Sequence, residues 1–168
     1  MEQRSDQWFA MRAGKITASR MSDVMAKKTT AAYNNYRAQL VAERLTGEAA
    51  ASFTSAAMQH GTDTEPEARA AYEFYMDVEV VEEGFVIHPE IEHSGASPDG
   101  LVGDDGLIEI KCPNTATHID TLTSGKIANK YIQQMQWQMA CTGREWCDFV
   151  SYDPRMPEHL RCFIRRVL

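Results

Sequence analysis

The amino-acid sequence predicts an α/β (α+β) fold in one domain, residues 1–168, with a mixed central sheet flanked by helices. Three patterns carry that prediction. Apolar residues recur at helical spacing through much of the chain up to Met76, and short strand-like segments follow as far as Lys111. One strong helix then precedes two final strands.

Ser5 is placed to cap a short helix bearing Trp8, Phe9 and Met11, with Gly14 to stop it. Thr17-Ala18-Ser19 opens a second helix with apolar Met21, Val24 and Met25, and residues 27–32 read as a loop. Tyr33 to Leu45 forms an amphipathic helix, with Tyr33, Tyr36, Leu40, Val41 and Leu45 at helical spacing and Gly47 beyond it. A weak linker occupies 49–54. The helical pattern resumes from Ser55 to Met76, with Ala68, Ala71, Tyr72 and Tyr75 on one face. Pro66 allows two readings there: a fresh helix from near Thr64, or one longer helix bent at the proline.

Strand candidates follow at Val78 to Val81, Gly84 to His88 and His93 to Ser97. Asp99 to Lys111 reads as a hairpin at the sheet's centre, turning through Gly103-Asp104-Asp105-Gly106. Leu107 to Lys111 alternates as a half-buried strand, with Ile108 and Ile110 on one face and Glu109 and Lys111 on the other. Lys126 to Cys141 is the clearest helix, striped by Ile127, Tyr131, Ile132, Met135 and Met139, with Gln134 and Gln138 on a different face. Trp146 to Tyr152 and Cys162 to Val167 are the last strands, around the turn Asp153-Pro154-Arg155-Met156-Pro157.

Hydrophobic residues make up 43% of the chain and charged residues 24%, ordinary values for a globular protein. No apolar run approaches the ~20 residues of a membrane span, so no membrane partner is expected. No signal-peptide stretch follows Met1-Glu2-Gln3-Arg4. The four cysteines form no C-x-x-C pair and read as reduced thiols of a cytoplasmic protein; no histidine stands near them at zinc-ligand spacing. His60, His88 and His93 read as structural. The net charge of −7 argues mildly against a nucleic-acid partner. Bound divalent cations would offset it, and basic groups cluster at Arg12, Lys15 and Arg20, at Lys27 and Lys28, and at Lys126 and Lys130. Charge decides nothing.

The hairpin lets Asp99 lie across from Glu109. Two carboxylates and the Lys111 ammonium converging at a strand pair suit a hard divalent cation with a polarised water beside it. Glu-x-Lys alone is usually a solvated strand face with a weak ion pair; the rest of the chain weighs against that here.

Asp99…Glu109-x-Lys111, with Pro98 ahead of it, fits the PD-(D/E)xK nuclease motif and its restriction-endonuclease-like core. Other pieces follow the same order: Trp8-x3-Arg12-x-Gly14-x-Ile16-Thr17-Ala18-Ser19, Gly61-x3-Glu65-x3-Arg69, Ser97-Pro98-Asp99-Gly100-Leu101, Glu109-Ile110-Lys111-Cys112-Pro113, Gln134-x-Gln136 and Tyr152-Asp153-Pro154-Arg155. Over about residues 6–152 the chain resembles the phage-type alkaline exonucleases, the lambda-exonuclease and YqaJ-like recombinase family.

That resemblance implies a Mg²⁺-dependent 5′-to-3′ exonuclease that degrades one strand of linear duplex DNA and leaves 3′ tails. Mn²⁺ is expected to substitute for Mg²⁺, since both accept oxygen ligands. It implies Asp99, Glu109, Glu65 and the Ile110 main-chain carbonyl as metal ligands, and Lys111 as the group that activates water or offsets charge on the phosphate. It implies Arg12, Ser19, Ser97 and Gln134 as the pocket for a 5′-phosphorylated end, and Met58 as a strand wedge, with a packed core methionine as the alternative. Trp8 reads as core. Thr29 stands where the family would offer a groove-tracking arginine, beside Lys27 and Lys28. The implied partners are double-stranded DNA ends, a single-strand annealing protein and a homotrimer of the chain, although Leu168 falls just after the last strand, where family members can carry a further helical tail. The implied setting is a bacterial or phage-infected cell. Two other readings share the core: an endonuclease or junction resolvase, which has no need of the end-phosphate set, and a DNA-binding module without catalysis. Modules of that kind tend to lose a charged catalytic group, whereas Asp99, Glu109 and Lys111 are intact.

Overall fold

The computed structural model describes residues 3–50 and 54–168. Its helices are α1 (Asp6–Arg12), α2 (Met21–Val24), α3 (Ala31–Thr46), α4 (Ala56–Met76), α5 (Thr115–Ser124) and α6 (Asn129–Thr142). Its strands are β1 (Ile16–Thr17), β2 (Val80–Val81), β3 (Val86–Ile87), β4 (Ser94–Ala96), β5 (Gly100–Val102), β6 (Gly106–Lys111), β7 (Trp146–Tyr152) and β8 (Cys162–Val167). These elements fall into two compact units, each with its own sheet.

The first unit comprises residues 1–52, 83–98 and 129–143. Its sheet has the order β1-β4-β3, with β1 parallel and β3 antiparallel to β4. Helix α6 packs on this sheet and on α2, enclosing Ala18, Ala96 and Cys141 against Val86 and Trp137. Ser5 caps α1 by accepting the Trp8 N–H at 3.2 Å. The chain then turns at Gly14, whose φ of +68° suits a residue without Cβ. That turn is clamped by α3: the Gly14 N–H donates to buried Glu43 at 2.7 Å, and Arg44 Nε donates to the Gly14 carbonyl at 2.8 Å.

The second unit comprises residues 53–82, 99–128 and 144–168. Its sheet runs β2-β5-β6-β7-β8, with β6 and β7 parallel and the other neighbours antiparallel. Helix α4 lies against β6, β7 and β8, and Ala68 and Tyr72 bury into a core of Val80, Val102, Ile108, Ile110, Val150 and Tyr152. The Tyr72 hydroxyl donates to Asp148 at 2.8 Å, and Arg166 closes on the same carboxylate with two bonds of 2.9 Å.

Several expectations change. The strands near 86 and 94 leave the central sheet and pair with each other and with Ile16–Thr17, a strand too short to show an alternating pattern. Thr17 to Arg20 is therefore a strand end and a 3-10 turn, and α2 has a single turn. Strand β6 is buried from Gly106 to Ile110, on both faces rather than one; β5 and β7 pair with its two edges, and α4 packs against it. Gln134 and Gln138 are buried beside Met135 and Met139 instead of facing away. Val41 and Leu45, expected on the inner face of α3, are exposed; Tyr36 and Glu43 are the residues that face inward. Helix α4 runs unbroken through Pro66, which favours the longer-helix reading. Helix α5, capped by Asn114, and the later start of α6 at Asn129 were not anticipated. The expected linker at 49–54 includes 51–53, which lie outside the described residues. Among the described residues, no helix is long and apolar enough to cross a membrane.

Gly106 opens β6 where a Cβ would stand 2.1 Å from the Trp146 indole, a ring already stacked under Arg166 at 3.5 Å. Gly106→Ala should therefore cost about 1–3 kcal/mol, the usual range for overpacking, measured by chemical denaturation.

Candidate active site

Strands β5 and β6 pair with Gly100 opposite Ile108, Leu101 opposite Leu107 and Val102 opposite Gly106. One further step of that register sets Asp99 against Glu109. The Ile110 N–H donates to Asp99 Oδ2 at 2.7 Å, fixing the carboxylate at the mouth of the hairpin. Glu109 is fully buried and ion-paired with Lys111, whose side chain is 28% exposed. Burial, followed by the charge of Glu109, raises the Asp99 pKa well above the usual aspartate range; Glu65 adds to this and Lys111 opposes it. Glu65, on α4, is bonded at 3.0 Å by Arg69, which also reaches the Asp99 carbonyl at 3.3 Å.

This donor set fits a hard cation. It offers three carboxylates and main-chain oxygen, and the carboxylates burden one another with like charge in a poorly hydrated place. As the side chains stand, protein donors hold them: Lys111 on Glu109, Arg69 on Glu65 and the Ile110 N–H on Asp99. Among the described residues, no three Asp, Glu, His or Cys groups converge as a ready-made metal cage. Cys112 follows Lys111, but burial, then Glu65 and Asp99, push its thiol up to about 12, so it is no nucleophile near neutral pH. All four cysteines are free thiols.

The proposed end-phosphate residues all belong to the first unit. Arg12 Nη1 donates to Ser97 Oγ at 3.2 Å, and Trp8 Nε1 donates to the same oxygen at 2.9 Å. The Arg12 guanidinium lies 4.0 Å from the centre of the Trp8 ring, a cation–π stack. Burial lowers the Arg12 pKa to about 10, with Tyr36 and Glu43 opposing, so the group stays cationic near neutrality. Ser97 Oγ receives two donors, which occupies its lone pairs and leaves its O–H for an acceptor. A phosphate oxygen is such an acceptor. Ser19 is exposed on the 3-10 turn, with its hydroxyl 3.5 Å from that of Thr17. That turn packs on α6, the helix carrying buried Gln134.

Met58 is 56% exposed at the start of α4, so it is not a packed core residue. His88 accepts the Glu90 and Ile91 N–H groups, each at 3.1 Å, in keeping with a structural role. Trp8, expected in the core, is only half-buried on a helix with no buried residue; its indole bonds Ser97 and stacks with Arg12. Its spacing of four residues from Arg12 on α1 carried that signal, as the same spacing of Glu65 and Arg69 did on α4.

The model of the YqaJ-like viral recombinase domain matches residues 7–145. The chain belongs to the YqaJ-like viral recombinase domain family. Comparison with curated proteins returns no match. Among solved structures, the YqaJ-like chain is similar to an alkaline exonuclease, LHK-Exo, from Laribacter hongkongensis. Identity is 55% over 97% of this chain and 81% of that one, with a TM-score of 0.91. The LHK-Exo complex with dAMP superposes with a TM-score of 0.92, also at 55% identity, covering 97% and 82% of the two chains. A phage related exonuclease from Haemophilus somnus 129PT, 16% identical over 91% of this chain and 83% of its own, shares the fold with a TM-score of 0.71. Family and fold make this YqaJ-like chain a nuclease of the exonuclease kind.

The Tyr152-Asp153-Pro154-Arg155 stretch braces the exit of β6 in the second unit. Buried Asp153 accepts from Arg155 Nε at 2.7 Å and from Thr115 Oγ1 at 2.6 Å, while Arg155 Nη2 also donates to the Pro113 carbonyl at 3.1 Å. Burial alone would raise the Asp153 pKa, but the bonds from Arg155 and Thr115 outweigh it and hold the group at about 2. The stability this supplies is complete above the ordinary aspartate range of about 4 and disappears as pH falls through about 2. Asp153→Asn should be less stable than the parent at pH 7, with the gap closing between those values in melting curves. A constant gap across acid pH would contradict this.

Proposed function

We propose that this chain is a Mg²⁺-dependent 5′-to-3′ exonuclease acting on linear double-stranded DNA and leaving 3′ single-stranded tails. The observation that carries this reading is the hairpin that sets the Asp99 carboxylate on the Ile110 N–H beside the buried Glu109–Lys111 pair. Asp99, Glu109, Glu65 and the Ile110 carbonyl would hold Mg²⁺, and Mn²⁺ would replace it on the same oxygens. When bound, the cation supplies acidity to a coordinated water and neutralises charge on the phosphodiester.

The remaining steps belong to the chain's own side chains. Lys111 holds the attacking water or offsets the negative charge that grows on the scissile phosphate, an interaction realised mainly in the transition state. Arg12 and the Ser97 O–H bind the terminal 5′-phosphate, joined by Ser19 and Gln134, and Trp8 keeps the first two aligned. Exposed Met58 is the wedge between the strands. The 3′ tails go to a single-strand annealing protein, and the working assembly is a homotrimer in the cytoplasm of a bacterial or phage-infected cell.

End-labelled linear duplex with or without a 5′-phosphate, and a closed circle, incubated with Mg²⁺ or EDTA, tests the reading. Digestion should require Mg²⁺, spare the circle and prefer phosphorylated ends; cutting of the circle would favour an endonuclease. Asp99→Ala and Glu109→Ala should abolish digestion, whereas Lys111→Ala should slow single turnover without moving the Mg²⁺ midpoint. Full rate restored to Lys111→Ala by excess Mg²⁺ would contradict the assigned role. Arg12→Ala should erase most of the preference for phosphorylated ends, since a charge-assisted hydrogen bond is worth about 1.5–3 kcal/mol. Equal loss on hydroxyl ends would assign Arg12 to the fold instead.

A further inference from the structure

Arg69 stands one helical turn after Glu65 on α4 and has no part in the chemistry above. Both Nη groups of its guanidinium are nonetheless engaged around that chemistry. Nη2 donates to Glu65 Oε1 at 3.0 Å and to the Asp99 main-chain carbonyl at 3.3 Å, while Nη1 pairs with Glu82. The side chains of Arg69 and Glu65 are each 16% exposed, and that of Glu82 is 64% exposed. Arg69 Nε is buried with no acceptor. A buried donor left unsatisfied costs free energy. The guanidinium therefore sits where its two Nη groups are required, rather than where all its N–H groups are best served.

We propose that Arg69 is a positioning residue for Glu65. Its planar fork fixes the Glu65 carboxylate and ties α4 to the backbone at Asp99, so that the two carboxylates keep one relative geometry, while Glu82 holds the far side of the fork. Lysine cannot do this: a single ammonium on a flexible stem has no rigid pair of donors. Charge and geometry act in opposite directions here. A cation beside a metal-binding carboxylate competes with the metal, so removal of a mere competitor tightens metal binding. Removal of a positioning group weakens it, because Glu65 loses its orientation.

The inference rests on the proposed metal role of Glu65, and the experiment separates the two. Mn²⁺ binding to the full chain is measured by titration calorimetry, and the Mg²⁺ midpoint of single-turnover digestion is measured beside it, for the parent, R69K, R69Q and E82Q. Both Arg69 variants should weaken Mn²⁺ binding and raise the Mg²⁺ midpoint by about 10–100-fold, the usual cost of losing a group that orients a ligand. Their rate at saturating Mg²⁺ should stay within a few-fold of the parent. E82Q should shift both quantities the same way by less, and it keeps the test open if an Arg69 variant does not fold. Tighter or unchanged Mn²⁺ binding in R69Q, or an unmoved midpoint beside a lower melting temperature, would overturn the positioning role alone. A parent protein that binds no Mn²⁺ and digests DNA in EDTA would overturn the proposed function, and this inference with it.

Discussion

Asp99 and Glu109 carry like charge into a poorly hydrated place, and the second unit is arranged around that conflict. Burial penalises the ionised Asp99 carboxylate, and the charge of Glu109 raises its pKa further. Such a pair persists only where the fold imposes it. The imposing element is β6, third in a five-stranded order, buried on both faces and registered against β5 so that Asp99 reaches Glu109. Lys111 repays part of the charge, the Ile110 N–H steadies Asp99, and Arg69 steadies Glu65. The like charge left over is what the proposed divalent cation would neutralise.

The first unit presents the opposite chemistry. The second unit offers acceptors, whereas the first offers donors: a guanidinium stacked on an indole, a serine hydroxyl committed by two incoming N–H groups to donate its own proton, and polar side chains on the 3-10 turn and α6. Under the proposed function, the donors of the first unit would take a terminal phosphate, and the carboxylates and Lys111 of the second would hold a cation and serve cleavage. The stretch Ser97-Pro98-Asp99 carries the chain from the donor set to the acceptor set.

The elements legible in the sequence were those with strong local signals. Strands β7 and β8 kept the bounds their apolar runs suggested, Ser5 and Gly47 marked helix ends, and the hairpin followed from its Gly-Asp-Asp-Gly turn. Pairing partners were not legible, because Ile16–Thr17 is too short to carry a period and gains its strand identity only from β4. Alternation in β6 suggested one solvated face; Glu109 is fully buried all the same, which local pattern does not report. The threonine-rich α5 lacks an apolar stripe and hangs on the cap at Asn114 and on buried His118, bonded to Ser151 and to the Leu160 carbonyl at 2.8 Å each. At the site, residue types and spacing pointed to the carboxylates and the lysine. Helical spacing sets Trp8 beside Arg12 and Arg69 beside Glu65, but the bonds from Trp8 to Ser97 and from Arg69 to the Asp99 carbonyl are contacts that only the folded chain supplies.

The Asp99–Glu109 pair burdens the metal-free fold, and the proposed divalent cation would relieve it. Melting of the parent and of Asp99→Asn, each in EDTA and in Mg²⁺ at neutral pH without DNA, addresses this directly. The neutral amide keeps an acceptor for the Ile110 N–H and removes the like charge. Asp99→Asn should therefore melt at or above the parent in EDTA and gain little from Mg²⁺, while the parent should rise, by about 2.7 kcal/mol of stability at a hundredfold excess over the dissociation constant. A parent indifferent to Mg²⁺, or an Asp99→Asn variant that melts lower in EDTA and still gains the full increment, would contradict the account.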